Sequence, residues 1–86
     1  MKYTAALAGQ ILKNGSMQDM QMAALEVVTG FLAEDPEGVA SVAQKANQDF
    51  QDGTVDSTVA STGEWVCLIP TSEGPKTLTV TRKGEI

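Results

Sequence analysis

Cys67 is the only thiol of the 86-residue chain, and no histidine accompanies it. A nucleophilic cysteine needs a lowered pKa, supplied by a helix N-terminus, a cation or an imidazole, together with access for a substrate. Cys67 instead lies between Val66 and Leu68 in an apolar run, the setting of an inert core thiol. The lack of histidine removes the commonest general base, nucleophile activator and metal ligand together. A zinc site would have to rest on one thiol and carboxylates, a donor set that zinc proteins rarely use.

The carboxylates invite two further readings. Asp49, Asp52 and Asp56, with Gly53 among them, suggest a calcium loop. Such a loop places oxygen ligands at alternating positions and a glutamate at the twelfth. The alternation is missing here, and the residues twelve along from Asp49 and Asp52 are Ala60 and Gly63. Glu34, Asp35 and Glu37 form the densest acidic group and could act as an acid–base pair. They sit, however, where the start of a helix favours acids. Gly9 and Gly15 do not make a phosphate-binding loop, because no lysine followed by serine or threonine comes after them. The residues therefore predict a protein that is not an enzyme and has no cofactor or metal.

Charge describes the surface these groups occupy. The net charge is −5, and nine of the eleven acids lie at or before Glu64. Set against Lys2, Lys13 and Lys45 they leave −6 up to Glu64, and the remainder is +1. Phosphate backbones require clustered Lys and Arg, so six basic residues do not predict direct nucleic-acid binding. An anionic surface steers towards a protein partner with a basic surface. No apolar run reaches the roughly 20 residues that cross a bilayer, and the start from Met1 to Gly9, with Gln10 after it, reads as mature structure rather than a leader. A lone cysteine fits a cytoplasmic location.

The hydrophobic rhythm positions these residues. Tyr3, Leu7 and Ile11 predict a first helix over Tyr3 to Lys13, ended by Asn14-Gly15. Ser16 and Asp19 form an acidic capping box for a helix over Met17 to Ala33. On it Met17, Met20, Ala24, Val27 and Phe31 make one stripe and Leu25, Val28 and Leu32 a second, with Gly30 set against a neighbouring backbone. Met22 lies off the main stripe and is the apolar residue expected in solvent. Asp35 and Pro36 open a third helix over Pro36 to Gln51, with Gly53 as its stop. Thr54 to Thr62 favours an edge strand over a loop. Glu64 to Ile69 is apolar on both faces, which predicts a central or covered strand with Trp65 in the core. Lys76 to Arg82 alternates, with Leu78 and Val80 inward and Thr77, Thr79 and Thr81 outward. Lys76, Arg82 and Lys83 there read as protection of an exposed edge.

The expected fold is a single α+β domain over 1–86, with a helical part at 3–51 and an antiparallel meander of two or three strands at 54–83. The expected function is a small acidic protein-binding module, an inhibitor or regulator of a basic partner comparable to phage-type anti-host or anti-defence proteins. Its contact residues are Glu34, Asp35, Glu37, Asp49, Asp52 and Met22. The alternative is a structural subunit that self-associates, as a homodimer, through helix 17–33 or the C-terminal hairpin.

Overall fold

The computed structural model describes residues 2–82. Its elements are β1 (Tyr3–Leu7), β2 (Gln10–Gly15), α1 (Met17–Leu32), α2 (Pro36–Gln51), α3 (Thr54–Thr62), β3 (Glu64–Ile69) and β4 (Lys76–Arg82). The chain is α+β with three helices, but its sheet has four antiparallel strands, in the order β2-β1-β4-β3. The strands therefore do not all follow the helices.

Two segments differ from the sequence expectation. Tyr3 to Lys13 is a hairpin and not a helix. The i, i+4 spacing of Tyr3, Leu7 and Ile11 fits a helix, yet Tyr3, Ala5 and Leu7 alternate equally well along a strand. The hairpin turns through Ala8 (φ 51°) and Gly9 (φ 85°). Positive φ at both central positions matches the right-handed twist of the flanking strands. Thr54–Thr62 is a helix and not an edge strand. Its threonines and valines disfavour a helix only weakly, whereas burying Val55 and Val59 on one face, at 0% and 3% exposure, outweighs that preference.

The other elements form where capping residues put them. Ser16 Oγ accepts from the Asp19 amide at 3.2 Å, and Asp19 Oδ2 accepts from the Ser16 amide at 3.0 Å. The Ser16 amide, and with it the Ser16 hydroxyl at 3.2 Å, donate to the Asp19 carboxylate and hold it below the usual carboxylate range. Gly15 leaves room for this box, since a Cβ there would collide with the Asp19 carboxylate. Asp35 accepts from the Gly38 amide at 3.1 Å, with Pro36 at the first helical position. Gly30 meets nothing within 4 Å, so the expected close packing at that glycine does not occur.

One sheet face packs against the helices. Tyr3 and Ala5 of β1, Leu78 and Val80 of β4, and Trp65 and Ile69 of β3 meet Met20, Ala24 and Val28 of α1, Val39 and Ala46 of α2, and Val55 and Val59 of α3. The other face carries Thr4, Ala6, Thr77, Thr79 and Thr81, with Ile11 and Val66 at its two edges. Strand β4 is central, paired with β1 on one side and β3 on the other. Lys76 and Arg82 therefore guard no sheet edge, and Lys83 lies outside the described residues. Strand β3, expected to be central or covered, is an edge strand covered by the helices on the face of Trp65 and Ile69 only.

Replacing Ala8 separates the hairpin from the helix by sign. In the hairpin, Ala8→Gly relieves a left-handed alanine and stabilises by about 0.5–1 kcal/mol in urea unfolding. In a helix the same change would destabilise by up to about 1 kcal/mol.

Candidate functional site

The six residues expected to meet a partner do not form one patch. Glu34, Asp35 and Glu37 surround the start of α2, while Asp49 and Asp52 lie at its other end. Sixteen residues of α-helix put these ends about 22 Å apart. Met22 stands on α1, 60% exposed as expected.

Most of these acids already have structural work. Asp35 caps α2 through the Gly38 amide. Glu34 Oε1 accepts from Ser72 Oγ at 2.8 Å, tying the α1–α2 corner to the connection between β3 and β4. Asp52 Oδ1 accepts from the Thr54 amide at 2.9 Å and its hydroxyl at 2.6 Å, which lowers the Asp52 pKa and seats the start of α3. Asp49 accepts from the indole Nε1 of buried Trp65 at 3.1 Å and lies 3.6 Å from Lys45 Nζ. Phe50 meets the same indole edge-on, at 5.4 Å between centroids. Trp65 is thus a core residue whose polar edge is satisfied by one carboxylate. Asp56 accepts from the Tyr3 hydroxyl at 2.8 Å; this bond, reinforced by burial, raises the Tyr3 pKa.

Glu37 remains exposed, and so does Glu26, which stands beside Met22 and was counted among the acids but not among the expected contact residues. Met22, Leu25, Glu26 and Thr29 line a shallow open depression on the outer side of α1. Leu25, a member of the second apolar stripe of this helix, is 44% exposed. The neighbouring Val28 fills the core instead. The i, i+3, i+4 and i+7 spacing of Met22, Leu25, Glu26 and Thr29 could have revealed this shared face.

Folding also redistributes charge by layer. Residues 17–62, which hold the three helices, carry eight acids and Lys45, a net −7. The flanking segments 2–15 and 64–82, which hold the strands, carry Lys2, Lys13, Lys76 and Arg82 against Glu64 and Glu73, a net +2. The division expected along the chain is sharper in space because Lys13 joins the sheet. Lys76 pairs with Glu73 at 3.7 Å and lies 5.9 Å from the Phe31 ring centroid.

Cys67 is half-buried at the rim between β3 and α2, and burial, reinforced by the Asp49 charge, raises its pKa. Both effects favour the neutral thiol. Among the described residues no group of three or more Cys, Asp or Glu side chains could hold a metal ion, and no helix is long and apolar enough to cross a membrane. No family model, curated protein or solved structure matches the chain.

Two outcomes follow from these assignments. Asp49→Ala strands a buried indole N–H and costs about 1–3 kcal/mol, whereas Glu37→Ala stays within about 0.5 kcal/mol of the parent in denaturant titration. Cys67 is alkylated by iodoacetamide at pH 7.5 more slowly than a free thiol, because less of it is thiolate.

Proposed function

We propose that the protein is a non-catalytic protein-binding module that docks the outer face of α1 against a partner with a basic surface. The observation that carries this reading is the exposed Met22–Leu25 pair beside Glu26, set in a helical layer of net −7. Unbranched thioether side chains adapt to varied surfaces, and an apolar anchor ringed by polar groups is the usual composition of a binding hot spot. The surrounding charge steers encounter and selects against acidic partners. Binding of this kind acts by occupation. The role that follows is that of a stoichiometric inhibitor or regulator, and the phage-type anti-host or anti-defence role expected from size and charge belongs to the same proposal. Glu37 contributes to the field, whereas Asp35, Asp49 and Asp52 serve the fold.

Capture from native lysate on the immobilised protein tests this reading. The wild type retains a basic protein whose recovery falls steeply as salt rises from about 0.05 to 0.3 M, the range over which surface charge is screened. Met22→Ser with Leu25→Ser, at exposed positions, lowers that recovery by about tenfold or more. Equal recovery by the double variant, or a captured protein whose binding ignores salt, overturns the assignment.

A further inference from the structure

We propose that β3 is an interface strand, and that a second copy of this chain pairs with it antiparallel to join two four-stranded sheets into one of eight. This interface is separate from the outer face of α1, because α1 covers β1 and β2 while β3 is the opposite edge of the sheet and presents different residues.

Strands with apolar side chains on both faces belong in the middle of covered sheets. β3 has that pattern, with Trp65 and Ile69 packed on the helices, yet it lies at the edge with Val66 47% and Leu68 59% exposed. Natural edges are guarded by bulges, inward charges, lysine or proline. The other edge, β2, has such guards: its pairing with β1 slips between Ala5 and Ala6, leaving Leu12 as an extra residue, and Lys13 stands beside the slip. β3 pairs with β4 without interruption from Glu64 to Ile69 and carries no internal charge or proline. Alternate residues of such a strand turn their amides and carbonyls away from β4. Apart from the Glu64 carbonyl, which accepts from Thr62 Oγ1, no hydrogen bond within the described residues engages them.

The occupant follows from symmetry and from the flanks. Residues that face each other across an antiparallel pair point to the same side of the sheet, so a twofold self-pairing must be centred on a residue. Centring on Val66 sets Glu64 against Leu68 of the second copy, and centring on Leu68 brings Pro70 into the ladder opposite Val66. Centring on Cys67 gives Trp65 with Ile69, Val66 with Leu68, and Cys67 with Cys67, all apolar, and leaves Glu64 and Pro70 opposed at the ends. The axis keeps the helices of both copies on one side. On that side β3 and α2 bound an open groove of about 310 Å³, with Val42, Ala46 and Cys67 on its walls. Lys45 and Asp49 also border it, one charge of each sign and paired with each other at 3.6 Å, so the groove presents no net charge to a second copy. A stable interface takes about 800 Å² from each partner. A six-residue strand is about 20 Å long and does not supply that area alone, but the Val66–Leu68 row and the α2 groove extend it on both sides.

Sedimentation equilibrium reads the result. The wild type sediments at twice the 9.0 kDa chain mass, and Val66→Lys or Leu68→Lys, each at an exposed position, returns it to one chain mass. Ile11→Lys on the guarded edge and the Met22→Ser, Leu25→Ser pair leave the dimer intact. Two copper(II) phenanthroline ions take one electron each from the two Cys67 thiols, whose two protons go to solvent, and lock the wild-type dimer as a disulfide that Val66→Lys does not form; paired Cα atoms at this register are about 4.5–5.5 Å apart. A wild type that stays at one chain mass up to about 1 mM overturns the proposal. So does a dimer indifferent to both lysines, or one broken by the α1 pair. A dimer broken by the lysines in which Cys67 does not cross-link overturns the Cys67-centred register.

Discussion

Pairing between the two ends of the chain, β1 against β4, organises everything else. Tyr3 aligns with Arg82 and Leu7 with Leu78, so the first and last described strands lie side by side in the middle of the sheet. Bringing them together closes a loop of most of the chain, a cost that grows only slowly with loop length. It is offset by complete burial of Ala5 beside Val80 and Leu78, each at 0% exposure. With the middle occupied this way, each remaining strand can join only at an outer edge. β2 flanks β1 through its two-residue turn, and β3 flanks β4 through the connection at residues 70–75.

The helices follow from the same constraint. They form one continuous stretch between β2 and β3 and cover a single face of the sheet, because that stretch crosses from one edge to the other. α1 packs over β1 and β2, and α3 packs over β3 and β4. α2 lies against α1 and α3 and reaches β3, where Asp49 meets the indole of Trp65. Acidic residues gather in this layer as caps and polar anchors, and the threonine-rich face opposite is left without a helix. A division of charge that looked like a division of the sequence is therefore a division between two layers.

Legibility of the fold in the sequence tracked how local the determining interactions are. α1 and α2 were readable because Ser16, Asp19, Asp35 and Pro36 act within one turn of themselves. β4 was readable from the alternation of Leu78 and Val80. The hairpin was not, because Ala8-Gly9 is a weak turn signal and alanine-rich strands mimic a helical stripe. α3 was missed because burial of Val55 and Val59 is a tertiary gain that overrides β-branched preference. Strand order was least accessible of all: nothing within Glu64–Ile69 says that Tyr3–Leu7 will take the place beside β4. At the surface, Met22 was legible from its position on the helix. Asp35, Asp49 and Asp52 also make hydrogen bonds within the fold, and a carboxylate that caps a helix looks the same in sequence as one that faces solvent.

Amide hydrogen exchange at several protein concentrations tests the central claim, that β1 and β4 hold the middle and leave β3 as an open edge. The account predicts that amides of Tyr3–Leu7 and Leu78–Val80 exchange only through global unfolding, at the slowest rates in the molecule. Amides of β3 that point away from β4 exchange quickly in dilute protein and slow as concentration rises. Rapid exchange throughout residues 3–7 would contradict it, as would full, concentration-independent protection of every amide in β3.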